Sequence, residues 1–187
     1  AGPSVADGKL VLFHRMAGKE ILDCLEAATG KSLWTASYPA SYKDRFGFDE
    51  GPRAVPTIHN GRVYTNGAAG VLSCTDLKNG KKIWRLDTHA SFKPRESFFG
   101  TACAPLVSGG KVFVQVGGTT GIGTGGKGSG IVAFDSETGK PLWGATSDEA
   151  GYSSPVIGEL AGKTRLVCFT RTGICLLYTS PSPRDAT

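Results

Sequence analysis

The glycine-rich stretch GGTTGIGTGGKGSG, residues 117–130, is the first place where residue type and spacing suggest chemistry. Gly121, Gly123 and Gly126 form a G-x-G-x-x-G pattern, and a G-x-x-x-x-G-K pattern ends at Lys127. Both cradle phosphates when backbone amides and a helix N-terminus point at the ligand. The following segment, IVAFD, reads as a strand, and Gly128 stands where a phosphate loop needs Ser or Thr. A long hairpin loop is the expectation. His14, Arg15 and Glu20 in FHRMAGKE surround another turn, where His14 could act as a base or ligand. No second His or Cys lies at metal spacing, so a hydrogen-bonded surface His is expected. His59 and His89 read as turn and loop residues without visible partners. Asp44, Asp49 and Glu50 are dense acids that could suggest calcium, but they lack the EF-hand spacing. Lys43, Arg45 and Arg53 instead point to neutralisation by salt bridges. Five Cys, with no C-x-x-C pair, are expected to be small buried apolar side chains. No Gly-x-Ser-x-Gly elbow and no His-Glu-x-x-His is present.

Composition narrows the classes further. The 187 residues carry a net charge of +5, yet bases and acids are interleaved, as in YKDRFGFDEGPR. No basic stripe tracks a phosphate backbone, so a nucleic-acid partner is not expected. No apolar run reaches the roughly 18 residues of a membrane span. The 27 glycines point to short strands and many turns.

Those turns repeat. CLEAATGKSLW (24–34), CTDLKNGKKIW (74–84) and AFDSETGKPLW (133–143) share one phrase. Its first position is small (Cys24, Cys74, Ala133) and its third is acidic (Glu26, Asp76, Asp135). Its seventh is glycine (Gly30, Gly80, Gly139) and its eleventh is tryptophan (Trp34, Trp84, Trp143). An acid ahead of Thr-Gly or Asn-Gly makes a tight turn in which the carboxylate accepts backbone amides and Gly takes positive φ. Strand-like residues on both sides make the phrase a hairpin. The indole then returns toward the small residue at position one and buries a large area. Upstream of each hairpin lies a proline (Pro3, Pro56, Pro105), with a fourth at Pro155, recurring every 49 to 53 residues. A four-stranded unit of that length is a propeller blade.

The pattern Ala-x-Asp-x-x-Thr-Gly-x-x-x-Trp resembles the tryptophan-docking motif of PQQ-like β-propellers, from Pro3 to about Ile174. The resemblance implies an all-β fold in which each Trp docks against the neighbouring blade and seven or eight blades close a ring. Three four-stranded antiparallel blades and the start of a fourth are expected here, an incomplete propeller over residues 1–174. CLLYTSPSPRDAT, residues 175–187, lacks the motif and closely resembles the translation of a sequencing adapter. It is expected to be a non-native tail.

The family includes quinoprotein dehydrogenases, outer-membrane assembly lipoproteins and secreted repeat proteins without assigned activity. GFDEGPRAVP, ESFFGTACAP and EAGYSSPVIG look most like the last group. A dehydrogenase would use PQQ and calcium, with adjacent cysteines and a Trp floor; here no cysteines are adjacent, and all three Trp are docking residues. The resemblance further implies a periplasmic or secreted protein whose propeller face binds a small molecule or a protein. Aligning the blades places Arg53, Phe99, Thr101, Tyr152, Ser153 and Ser154 near the axis. With His14 and Arg15 they are the candidate ligand-binding residues, suited to a polar planar or sugar-like ligand.

Overall fold

The first three sheets are built on the same acid-closed turn. Asp135 Oδ1 accepts the N–H groups of Glu137 and Thr138 at 3.1 and 2.8 Å, and Asp76 Oδ1 accepts those of Lys78 and Asn79 at 2.8 and 3.1 Å. Gly30, Gly80 and Gly139 close the turns with φ of +73°, +73° and +71°. Every turn also donates its Gly N–H to the carbonyl of the acid, at 2.8–2.9 Å.

The computed structural model describes residues 1–187 except 45, 96, 97, 122–127 and 178–187. Strands β1 (Ser4–Ala6), β2 (Lys9–Met16), β3 (Lys19–Glu26) and β4 (Ser32–Pro39) form the first blade. The second comprises β5 (Thr57–His59), β6 (Arg62–Asn66), β7 (Val71–Asp76) and β8 (Lys82–Asp87). The third comprises β9 (Leu106–Ser108), β10 (Lys111–Gln115), β11 (Ile131–Asp135) and β12 (Pro141–Ala145). Strands β13 (Val156–Leu160), β14 (Lys163–Phe169) and β15 (Ile174–Leu177) form a three-stranded fourth sheet. All pairings are antiparallel and sequential. The boundary expected at Cys175 falls inside β15, and the rest of that tail from Tyr178 lies outside the described residues. ILDCLEAATG, which could pass for a helix, is mostly β3.

Cα registers pair Cys24 with Trp34, Cys74 with Trp84 and Ala133 with Trp143. In all three the register shifts immediately after the small residue, a β-bulge that skips Leu33, Ile83 or Leu142 and turns the indole inward. The skipped residues are 46%, 39% and 39% exposed. Each indole lies against more than its cross-strand partner. Trp34 Nε1 donates to Leu77 O at 2.9 Å, and Trp84 Nε1 donates to Ser136 O at 3.0 Å. A Cβ on Gly80 would stand 2.7 Å from the Trp34 ring, and one on Gly139 would stand 2.7 Å from the Trp84 ring. The turn glycine therefore has a second duty: it is the floor on which the preceding blade's indole rests. Trp143 Nε1 has no hydrogen-bond partner among the described residues.

Three apolar cores lie between successive sheets. Val11, Phe13, Leu22 and Cys24 pack against Val63 and Leu77. Tyr64, Leu72, Cys74 and Trp84 pack against Val112, Val132 and Phe134. Phe113, Ile131 and Ala133 pack against Leu166 and Cys168. The innermost strands step from blade to blade, with Ser4 Oγ donating to Pro56 O and Thr57 Oγ1 donating to Pro105 O. The short helix α1 (Thr88–Phe92) corrects the reading of that region as plain loop. Asp87 caps it by accepting the Ala90 N–H at 2.8 Å, a local bond that outcompetes extension of β8. His89 is part of this helix and shares a 3.2 Å hydrogen bond with Thr101 Oγ1, so it has a partner after all.

Gly30 and Gly80 occupy the same turn position with the same φ, but nothing lies within 4 Å of a Cβ on Gly30. Gly30→Ala should therefore cost only the left-handed backbone strain, about 1–2 kcal/mol. Gly80→Ala should cost at least about 1 kcal/mol more, because the Trp34 ring must move. Urea unfolding measures the difference, and a red shift in tryptophan emission is expected for Gly80→Ala alone. Equal costs would mean that the indole does not rest on the turn.

Candidate functional site

The connections between blades gather at one end of the sheets, and a few side chains hold them in shape. Asp44 organises the first. Its Oδ1 accepts the Phe46 N–H at 3.1 Å, and its Oδ2 accepts those of Phe48 and Asp49 at 2.8 and 3.0 Å. The Asp49 N–H, followed by that of Phe46, holds the Asp44 carboxyl below its ordinary range; Phe48 and Arg53 add to this against an opposing desolvation. Arg15, at the end of β2, donates to Tyr42 O at 2.5 Å, Glu50 O at 2.9 Å and Ala40 O at 3.3 Å. Arg53 donates to Asp49 O at 2.8 Å. Its guanidinium lies 5.6 Å from the Tyr42 ring centre and 5.7 Å from that of Phe99.

Around Arg53 the loops assemble a row of aromatic rings. Centroid separations are 6.2 Å for Phe48–Phe46, 4.2 Å for Phe46–Phe98, 4.7 Å for Phe98–Phe99 and 5.7 Å for Phe99–Tyr152. The row draws on all three blade-to-blade connections. Phe48 is 78% exposed, Phe98 51%, Phe46 50% and Tyr152 39%, so it presents ring surface to solvent. The Tyr152 hydroxyl accepts the Phe99 N–H at 3.2 Å and ties two of the loops together.

The structure thus brings Arg53, Phe99 and Tyr152 together, with Arg15 beneath the same loop. Three other candidates bind backbone. Thr101 donates its N–H to Ala68 O, the Ser153 hydroxyl donates to Phe169 O at 2.9 Å, and Ser154 Oγ accepts the Ala104 N–H at 3.0 Å. His14 stands apart on the first sheet, where its Nε2 lies 2.7 Å from Asp23 Oδ2 and Thr35 donates to Asp23 Oδ1 at 2.6 Å. Burial works to raise the Asp23 carboxyl, but these two bonds and the His14 charge outweigh it, leaving it below its ordinary value.

Sequence reasoning missed Tyr42, Phe46, Phe48 and Phe98. Phe46 and Phe48 were detectable as two aromatics two residues apart in a charged, turn-rich segment. It also missed Gln115, a polar residue ending the apolar strand KVFVQ.

The glycine-rich stretch begins and ends as a hairpin between β10 and β11, with Gly117 N–H donating to Ser129 O at 2.8 Å. Gly123, Gly126 and Lys127 lie outside the described residues, and the segment after them is strand β11, not a helix. The thiols are all free. Burial pushes Cys74 up to about 11, and Cys103 and Cys168 up to about 12, so none of these three is a thiolate at neutral pH.

The acids of this face are engaged by the protein itself. Asp44 is occupied by three amides, Asp49 Oδ1 accepts the Gly51 N–H at 2.8 Å, and Glu50 pairs with Arg15 at 3.4 Å. Among the described residues no three His, Cys, Asp or Glu side chains converge on a metal position. The three indoles sit at the blade joints, and no two cysteines are adjacent. These residues do not fit a quinone–calcium centre.

Sheets stacked through docked indoles, with inner strands stepping from blade to blade and a loop-built face at one end, define an open, incomplete β-propeller. A model of the PQQ-like repeat, described as "Outer membrane protein assembly factor BamB", matches residues 17–180, and the chain belongs to that family. A quinohemoprotein alcohol dehydrogenase from Pseudomonas putida HK5 is similar at 18% identity and TM-score 0.63, over 94% of this chain and 32% of its own. BamB from Moraxella catarrhalis is similar at 18% identity and TM-score 0.56, over 88% of this chain and 45% of its own. A quinohemoprotein alcohol dehydrogenase from Comamonas testosteroni is similar at 26% identity and TM-score 0.51, over 75% of this chain and 20% of its own. The chain therefore spans less than half the length of each of these proteins. No curated protein matches it. Among the described residues no helix is long and apolar enough to cross a membrane.

The lowered Asp44 carboxyl gives a pH dependence. A carboxyl whose folded value lies below its unfolded one stabilises above the unfolded value, and that contribution is lost as pH falls through the folded one. The protection factors of the Phe46, Phe48 and Asp49 amides, exchange corrected for its intrinsic pH dependence, should be high at pH 6, begin to fall near about pH 4 and be lost as the pH drops through the lowered Asp44 value. Asp44→Ala should lower the protection of these amides at pH 6 as well, and hydrogen-exchange NMR distinguishes the cases.

Proposed function

We propose that this stretch of propeller works by binding: its loop face holds a ligand or partner protein against the aromatic row and carries no catalytic centre of its own. The observation behind this reading is the division of labour on that face. The polar side chains of Arg15, Arg53, Thr101, Ser153 and Ser154 engage protein atoms, whereas Phe46, Phe48 and Phe98 leave their rings in water. A contiguous exposed apolar strip rimmed by polar groups is the usual mark of an interaction surface. Within this reading a protein partner is favoured, because the family model bears the name of an assembly factor. A periplasmic or extracellular location follows from the same kinship.

The rival is a quinone- and calcium-dependent alcohol or sugar dehydrogenase, supported by the likeness to alcohol dehydrogenases and opposed by the donor set found here. The two separate experimentally. With PQQ and calcium added, the protein should reduce no redox dye across a panel of alcohols and sugars; quinone-dependent turnover would sink the binding reading as the sole function. Screened on peptide and glycan arrays, the Phe46→Ala/Phe98→Ala variant should lose the spots that the parent captures by at least tenfold while melting within a few degrees of it. Unchanged capture would remove the row from the site.

A further inference from the structure

At each of three blade junctions the protein buries one polar side chain that bonds backbone beyond its own blade, in the connection entering the next blade at two of them and in the β6–β7 turn at the first, and each differs chemically from the others. The fifth residue of the second strand is Phe13 in β2, Asn66 in β6 and Gln115 in β10, and each is 1% exposed. Asn66 Nδ2 donates to Cys103 O at 3.0 Å. Gln115 Nε2 donates to Ser153 O at 2.8 Å and to Phe169 O at 3.0 Å, while its Oε1 accepts the Gly151 N–H at 2.8 Å. Cys103 and Ser153 are equivalent, each two residues before the proline that opens the next inner strand. Phe13 has no donor to offer Ala54, the residue in that place at the first junction. At that junction the buried polar group comes from β3 and meets a different segment: Glu20, also 1% exposed, accepts the N–H of Ala68 in the β6–β7 turn at 2.9 Å. Arg85 of β8 lies 4.0 Å from the ring centre of Tyr38, the cross-strand neighbour of Glu20.

We propose that these side chains are junction keys: the length and chemistry of each match the backbone segment it meets, so that blades sharing the same indole joint stack in only one order. The joints cannot supply this selectivity, because Trp34 and Trp84 make the same bond to the same turn. Gln115 is paired at both ends of its amide, whereas Asn66 Oδ1 and Glu20 Oε2 have no hydrogen-bond partner among the described residues, so a wrong neighbour would strand the bonded half of each key as well, which costs more than the matched bond contributes. Gln115 has a second role as a positioning residue. It grips Gly151 and Ser153 on either side of Tyr152 and so holds that ring at the end of the aromatic row.

The test is an exchange of keys. In Asn66→Gln/Gln115→Asn both positions keep an amide, but each has the other's length. The double variant should melt well below the parent, and its Gly151 amide should exchange at least tenfold faster by hydrogen-exchange NMR. Parent-like melting together with parent-like Gly151 protection would overturn the proposal. If the double variant gives no cooperative melt, two single variants decide. Gln115→Asn should lose Gly151 protection. Gln115→Glu keeps the acceptor and loses both donors, so Gly151 should stay protected while Tyr152 emission reports a loosened ring. Equal behaviour of these two singles would refute the assignment. A merely apolar role for the position predicts that Gln115→Leu is the most stable of the set.

Discussion

The contact between an indole and the turn glycine of the next blade is the constraint on which the rest of this structure depends. It demands several things of the chain at once. The acid must close the turn, the glycine must take positive φ and also lack a Cβ, and the bulge must rotate the tryptophan toward the neighbour. The indole N–H must then meet the carbonyl of the residue following the acid, Leu77 or Ser136. A residue that fails any of these moves a ring that bridges two sheets. A blade's stability is therefore largely a property of its junctions, as in other repeat proteins.

That constraint acts at one end of the blade only. The hairpin end is uniform because one contact is repeated. The other end, where the connections lie, is free to vary and does so in length, charge and secondary structure. The first connection is organised around the Asp44 carboxylate, the second contains α1, and the third is held by Gln115. Their differences let three unlike loops converge on one row of rings.

The same asymmetry explains what could be read from the sequence. Acid, glycine and tryptophan recur because geometry fixes their types and spacing, so the hairpins, the blade length and the open propeller were legible. The glycine's role as a floor was legible in principle, since it stands at a fixed interval before each tryptophan, but its contact is made with a residue some fifty positions away. The loops repeat nothing. Arg53, Phe99 and Tyr152 were placed by their position before each inner strand. Phe46, Phe48 and Phe98 were not found, because an aromatic in a loop is ordinarily a buried anchor and only packing decides that its face stays in water. His89 was misjudged for a related reason: its helix depends on the cap supplied by Asp87, a residue that equally well ends a strand.

The loop face also limits the kind of chemistry this part of the molecule can perform. A general base needs an unoccupied acceptor in a pocket, and a nucleophile needs an adjacent base. Among the residues lining the row, the serine hydroxyls and arginine guanidiniums are engaged by backbone carbonyls and amides, and Asp44 accepts three N–H groups. Their work is to fix loop shape. Among the described residues of the row the exposed surface is largely aromatic, and rings recognise by apolar contact and ring geometry. On the proposed binding reading such a face works by complementarity of shape, and Gln115 beneath it, bonded to Gly151 and Ser153, fixes the backbone on either side of the Tyr152 ring.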